Sequence, residues 1–113
     1  MLFHITTRSA WELAVDAGQY VPATFAADGF IHLSDERQWF RTAQRFYRGQ
    51  PHLVLLVLEE TRLKASVRRE SADGELFPHL YGPLNIDAVV SVYDLPLDAE
   101  GDVLAPATLD IGP

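Results

Sequence analysis

The chain has 113 residues, which favours a single domain, and its hydrophobic content of 48% is enough for a globular core. Nine Lys and Arg against sixteen Asp and Glu give a formal net charge of −7, so we expect no non-specific binding to nucleic acid or to an anionic membrane surface. The absence of cysteine excludes disulfides, iron–sulfur centres and a thiolate nucleophile. No apolar run reaches the roughly 18 residues of a membrane span, so we expect a cytoplasmic protein.

The first half of the chain predicts two strands and two helices. Alternating apolar residues over 1–6 favour a strand, and 9–17 has the apolar spacing of a helix. A loop over 19–28 follows, and then a short strand at 30–33. A second helix is predicted over 35–47, where aromatic residues recur at helical spacing.

Capping residues mark where these helices begin and end. Ser9 and Glu12 have the spacing of a capping box, and Gly18 suits the left-handed position that ends a helix. Ser34 is expected to cap the second helix, which would explain its hydroxyl without a catalytic role.

The second half predicts several strands. The six aliphatic residues Leu53–Leu58 are typical of a buried central strand. The remaining predictions are a turn or a single helical turn at 61–65, a strand at 66–70, a polar loop at 71–74, an ordered loop at 77–83 and a last strand at 88–95. We predict an α+β domain over residues 1–95, with an antiparallel-rich sheet and two helices on its flank, followed by an acidic C-terminal tail over 96–113.

A histidine is followed two residues later by a hydroxyl side chain three times. In an extended strand, residues two apart point to the same side, so each pair would share a face. Such a face is unusual unless something binds there, although any one of these histidines could simply be a hydrogen-bonded core residue. The three pairs are His4 with Thr6, His32 with Ser34, and His79 with Tyr81.

Two further patterns suggest a binding site. Arg68 and Glu70 would share one face of a strand, with Arg69 on the other; an arginine there suits a phosphate or carboxylate, and the alternative is a solvated edge strand. In the loop bounded by Pro78 and Pro83, the backbone would present His79 and Tyr81. A metal site on the histidines is a further alternative, but their spacing matches no common ligand motif.

The motif order resembles the family of small bacterial proteins called domain of unknown function 952. The similarity covers roughly residues 2–95. It is carried by the Phe-His-x-Thr-Thr stretch at the start and by Gly29-Phe30-Ile31-His32-Leu33-Ser34, Arg45-Phe46-Tyr47, Leu53-Val54-Leu55-Leu56-Val57-Leu58, Val67-Arg68-Arg69-Glu70 and Phe77-Pro78-His79-Leu80-Tyr81-Gly82-Pro83-Leu84.

A more distant similarity is to the ADP-ribosyltransferase-like superfamily. Ile31-His32-Leu33-Ser34 resembles the Val-His-Leu-Ser stretch of the RNA 2′-phosphotransferases. The resemblance implies a split sheet with a cleft for NAD or a related nucleotide. It implies that His4 and Thr6 meet the ribose or adenosine, and that His32 and Ser34 meet the nicotinamide ribose or phosphate.

The same resemblance suggests catalytic roles for His32 and Glu70. Arg68 or Arg69 would pair with phosphate, and Tyr81 would stack on a ring with His79 beside it. Toxin-like members of the superfamily use a late glutamate to stabilise the transition state; Glu70 and Glu75 are both candidates for it, and neither lies in a clear motif. The basic surface for an RNA end is missing. A non-catalytic module that binds a small metabolite or a partner protein in the same cleft is therefore the alternative.

Overall fold

The structure, a computed structural model, describes residues 1–106; the part of the predicted tail beyond them lies outside the described residues. The strands are β1 (Leu2–Thr7), β2 (Gln19–Tyr20), β3 (Ile31–His32), β4 (Leu53–Leu58), β5 (Ser66–Ala72), β6 (Glu75–Tyr81), β7 (Leu84–Asn85) and β8 (Val89–Leu95). The α-helices are α1 (Arg8–Ala17), α2 (Phe25–Asp28) and α3 (Trp39–Phe46), and short 3-10 turns lie at Glu60–Arg62 and Ile86–Ala88. None of the helices in this part of the chain is long and apolar enough to cross a membrane.

One three-stranded antiparallel sheet has the order β1-β4-β8. All six side chains of β4 are buried, which confirms the prediction of a buried central strand. The two faces of the sheet pack into separate cores. Phe3 and Leu53 lie in the core that α3 covers, and Leu56 lies in the core that α1 covers.

A second antiparallel sheet has the order β3-β6-β5, and β2 pairs separately with β7. The prediction of a loop over 77–83 was wrong, because β6 continues through Tyr81. Pro78 lacks an N–H donor, but its carbonyl still accepts from the N–H of Leu33 at 3.0 Å, just beyond the short β3. The predicted loop at 71–74 is reduced to a tight hairpin turn at Asp73 and Gly74.

A single bridge between Phe3 and Ser34 joins the two larger sheets. Each residue donates its N–H to the carbonyl of the other, at 2.8 and 2.9 Å. Beyond this bridge β1 separates from the chain that follows β3. The prediction of an α+β fold built on antiparallel strands is confirmed.

The helices begin at residues other than those predicted. Thr7, not Ser9, caps α1, since its hydroxyl accepts from the N–H of Ala10 at 3.1 Å. Gly18 ends α1 in the left-handed conformation with φ 86°, as predicted. The segment 19–28 was predicted to be a loop but contains β2 and the short helix α2, so three helices rather than two lie in the first half.

Asp35, not Ser34, caps the turn that precedes α3. Its carboxylate accepts from the N–H of Gln38 at 3.0 Å, and the Gln38 side chain accepts from the N–H of Asp35 at 3.0 Å. This reciprocal arrangement is a capping box. It places a turn at residues 36–38 and delays α3 to Trp39. The Ser34 side chain is therefore not used as a cap.

The first residues of the predicted tail pack against the core. Leu97 forms a bridge with Val103, and Val103 is fully buried beside α3. The Gln44 side chain fixes this turn, because it donates to the Val103 carbonyl at 2.8 Å and accepts from the Val103 N–H at 3.0 Å.

Candidate functional site

A cavity of about 590 Å³ lies where the two sheets separate. Residues 3–7 of β1 form its floor, and residues from the turns, α3 and the β5–β6 hairpin surround it. The volume falls in the range of small-molecule sites. Its polar lining includes four of the predicted site residues, which are His4, Thr6, His32 and Ser34.

His4 is held on both ring nitrogens. Nδ1 lies 2.7 Å from the backbone carbonyl of His32, and Nε2 lies 2.9 Å from the Tyr20 hydroxyl. Since a carbonyl only accepts, Nδ1 carries the hydrogen. Burial lowers the pKa of His4 to about 4, so the ring is neutral at neutral pH. Neither nitrogen is free to bind a metal.

Tyr20 extends this network to Thr6. Its hydroxyl lies 3.0 Å from Oγ1 of Thr6 and is buried with it. Because Nε2 of the neutral His4 ring carries no hydrogen, it accepts from the Tyr20 hydroxyl. The pKa of Tyr20 is raised by burial. Together these three side chains form a buried polar chain that ends in the cavity wall.

His32 stands at the border of the cavity and is largely exposed. Its Nε2 lies 3.0 Å from Oδ2 of Asp28, and both residues line the cavity. On its other side the His32 ring contacts Phe30, with ring centroids 4.7 Å apart. His32 therefore links the cavity to the face of the second sheet.

A second cluster lies on that face, outside the cavity lining. Oε1 of Glu70 accepts from Nδ1 of His79 at 2.9 Å and also from the Tyr81 hydroxyl. These two hydrogen bonds, that of Tyr81 first, lower the pKa of Glu70, so it is a carboxylate at neutral pH. The Phe30 ring stacks on the buried His79 ring at 4.0 Å.

The two arginines of this strand lie on opposite faces. Arg68 is opposite His79 in the sheet register, and its guanidinium lies 4.8 Å from the centroid of the Tyr81 ring. Arg69 points to the other face and forms two hydrogen bonds with Glu60, at 2.7 and 2.8 Å. The structure thus places Arg68 beside Glu70, as predicted, and Arg69 away from both clusters.

The third pair, His79 with Tyr81, does not line the cavity with the other two pairs. The His79 ring nevertheless lies only 5.5 Å from the His32 ring. Within residues 1–106, no group of three or more His, Cys, Asp or Glu side chains is arranged to hold a metal. Sequence reasoning missed Tyr20, Asp28 and Tyr47 as cavity residues. The first two lie in the segment predicted to be a loop, where no periodic pattern assigns a side chain to a face.

The comparisons with known proteins identify one family and one solved protein of similar structure. The chain matches the family described as "Protein of unknown function (DUF952)" over residues 5–92. It is similar to the crystal structure of protein CC0527 from Caulobacter crescentus, with 41% identity and a TM-score of 0.84 over 91% of this chain and 92% of that one. The solution NMR structure of CC0527 also has 41% identity, with a TM-score of 0.73 over 90% of this chain and 89% of that one. No curated protein matches the chain. With a match over more than half of its length, this chain belongs to the DUF952 family.

Proposed function

We propose that this protein binds a small molecule in the cavity between its two sheets, and that the ligand is NAD or a related nucleotide. The observation that carries the proposal is the cavity itself, which combines aromatic and aliphatic walls with the fixed imidazole of His4 and the hydroxyls of Thr6 and Ser34. Sites for small molecules have this composition, with a few placed polar groups in an apolar pocket. The choice of a nucleotide as this small molecule rests on the similarity to ADP-ribosyltransferase-like proteins.

The uncharged part of the nucleotide, a ring with its ribose, suits the cavity better than its phosphates. Among the described residues that line the cavity there is no Arg or Lys, whereas Asp28 and Asp73 are present. Buried phosphates require donors with positive charge, and carboxylates repel them. Hydroxyl and imidazole groups instead suit ribose hydroxyls.

We expect the phosphates of the nucleotide to lie along a row of side chains that leads out of the cavity. His32 is paired with His79 across β3 and β6, and His79 is paired with Arg68 across β6 and β5. This cross-strand row begins at the cavity and ends at a guanidinium that forms no ion pair within residues 1–106. Arg68 is therefore the residue that we assign to the diphosphate, in preference to Arg69.

The proposal is tested by following the histidine rings by NMR during titration with NAD, ADP-ribose and adenosine. His4 and His32 signals should shift with all three ligands, because all three carry the ribose. His52 is exposed and is not among the residues that line the cavity, so its signal should stay unchanged. If no ligand shifts His4 or His32 at millimolar concentration, nucleotide binding is wrong for this cavity.

A variant pair tests whether the cavity hydroxyls recognise the ligand. Thr6→Val removes one hydroxyl at nearly constant volume and should weaken binding about tenfold, the effect of one lost hydrogen bond. Thr61→Val removes an exposed hydroxyl outside the cavity and should leave affinity unchanged. Equal affinities of the two variants would place the ligand elsewhere.

A second candidate function, ADP-ribosyl transfer, is favoured by the placement of Glu70. Its carboxylate accepts from two donors, one of which is His79 in the row of side chains described above. There it would stabilise the positive charge that develops on the ribose, while His32 would contact the reacting ribose or the diphosphate. Release of nicotinamide from NAD, lost in Glu70→Gln, would support transfer. Saturable binding without release would identify a binding protein instead.

A further inference from the structure

The cavity lies between two elements that are connected at their rims by exposed side chains. On one side is the tip of the β5–β6 hairpin, where Ala72 and Asp73 line the cavity. On the other side is α3, which contributes Thr42 and Phe46. Any ligand that enters between these elements must pass the hairpin tip.

Two ion pairs connect the tip to α3. Arg45 Nη1 lies 3.2 Å from Oδ2 of Asp73, and Arg41 Nη2 lies 3.0 Å from Oε1 of Glu75. All four side chains are between 37% and 64% exposed. Exposed ion pairs are individually weak and are screened by salt, so these contacts break and reform easily.

A stronger contact lies just behind the tip. Gln38 is buried, and its Nε2 donates to the Leu76 carbonyl at 2.7 Å and to Oε1 of Glu75 at 3.0 Å. This contact fixes the hairpin at Glu75 and Leu76. The turn beyond it, with φ 51° at Asp73 and φ 83° at Gly74, is a tight two-residue turn.

We propose that the hairpin tip, residues 71–74, is a lid over the cavity, and that Arg45 at the tip and Arg41 at its base hold it closed. That a ligand enters there rests on the proposed function, but opening of the lid is a property of the free protein. The lid should open more often when either ion pair is removed or when salt concentration is raised.

The test measures entry of a neutral probe into the cavity. The nitroxide TEMPOL is uncharged, so salt affects its access only through the protein. Its relaxation enhancement is measured by NMR at the methyl groups of Ile5 and Leu53, which are buried and line the cavity. Val54 and Leu56 are buried, belong to the other core cluster and do not line the cavity, so they serve as internal references.

The double variant Arg41→Gln/Arg45→Gln should increase the enhancement at Ile5 and Leu53 several-fold and leave the reference methyls unchanged. The matched control is Arg48→Gln, since Arg48 is equally exposed and its partner Asp102 lies outside the hairpin. That control should match the wild type. Sodium chloride should reproduce the increase in the wild-type protein, which tests the lid without a substitution.

The outcomes separate this inference from the proposed function. Unchanged enhancement at Ile5 and Leu53, both in the double variant and in salt, would overturn the lid even if NAD binds. A selective increase without any nucleotide binding would support the lid and overturn the nucleotide. An increase at the reference methyls as well would indicate general loosening of the fold and would also overturn the lid.

Discussion

His4 donates the hydrogen on Nδ1 to the backbone carbonyl of His32, 2.7 Å away, and thereby joins the two sheets where they separate. The bond lies next to the single bridge between Phe3 and Ser34. The buried imidazole holds the two sheets together at the point where they separate, and it also forms part of the cavity wall. Burial, and not this bond, keeps the ring neutral.

Replacing His4 with leucine should therefore destabilise the fold. The His32 carbonyl loses its donor and the Tyr20 hydroxyl loses a neighbour, in a buried setting where unpaired polar groups are costly. We expect His4→Leu to lower the free energy of unfolding by about 2–4 kcal/mol. Urea denaturation measures the change.

His52→Asn is the matched control for that variant. His52 is exposed and has a positive φ of 61°, which asparagine tolerates. Its free energy of unfolding should change by less than about 0.5 kcal/mol. If His4→Leu proves as stable as His52→Asn, the bond between His4 and His32 does not hold the sheets together.

Stability should also depend on pH through His4. Its pKa is about 4 in the folded protein and 6.5 when unperturbed, because burial disfavours the charged ring. Between these values the unfolded chain binds the proton and the folded protein does not. The contribution of the neutral His4 ring to the free energy of unfolding is therefore fully present above pH 6.5. It is lost as the pH falls from 6.5 to 4, and the loss is about 3 kcal/mol at most.

The measurement is urea denaturation of wild type and His4→Leu across that pH range. The gap between the two free energies of unfolding should narrow as the pH falls from 6.5 to 4. Carboxylates such as Glu60, whose pKa is lowered by hydrogen bonds from Arg69, act at lower pH and in both proteins alike. Two parallel pH profiles would show that His4 is not buried as a neutral ring.

Strand β4 was predictable because six consecutive aliphatic residues suit only a buried strand of that length. Strand β6 was not, since Pro78 argues against a central strand and its neighbour β3 is two residues long. Capping was misassigned for a related reason. Thr7, Ser9, Ser34 and Asp35 are all suitable caps, and the side chains that actually cap are selected by where the strands end.

The two-residue period of a strand explains how much of the site could be predicted. It places His4 and Thr6 on one side of β1 and Arg68 and Glu70 on one side of β5. It carries no information on which strands meet. The separation of His79 from the cavity, and the arrival of Tyr20 beside His4, depend on the tertiary arrangement of the two sheets.

Glu70 should control the titration of Tyr81. The hydrogen bond that Tyr81 donates to the Glu70 carboxylate raises the pKa of the phenol, because the phenolate would lose that bond and face a negative charge. In Glu70→Gln the midpoint should move down towards 10, the value of an unperturbed tyrosine. The ¹³Cζ chemical shift of Tyr81, followed by NMR against pH, measures it.

Glu100→Gln removes an exposed carboxylate near the end of the described chain and should leave the Tyr81 midpoint where it is in the wild type. An unchanged midpoint in Glu70→Gln would mean that the carboxylate does not accept from Tyr81. Glu70 would then not be the oriented group that ADP-ribosyl transfer requires.

Gly82 directly follows β6, and the side chain of Ala65 leaves no room for a Cβ atom at this position. A Cβ built at Gly82 would lie 2.7 Å from the Cβ of Ala65, closer than two carbon atoms approach in folded proteins. Gly82→Ala should therefore lower the free energy of unfolding by about 1–3 kcal/mol through overpacking. Removing the opposing atom with Ala65→Gly should recover most of this loss in the double variant, as measured by a double-mutant cycle in urea.

Gly29→Ala distinguishes overpacking from backbone strain. Gly29 has φ 80°, and a Cβ there would meet nothing within 4 Å, so its cost comes from the left-handed backbone alone. Ala65→Gly should give no rescue of Gly29→Ala, and the two changes should be additive. If Ala65→Gly also failed to recover the free energy of unfolding lost in Gly82→Ala, Gly82 would be needed for something other than the contact with Ala65. Approach of a ligand to this backbone would then be the better explanation.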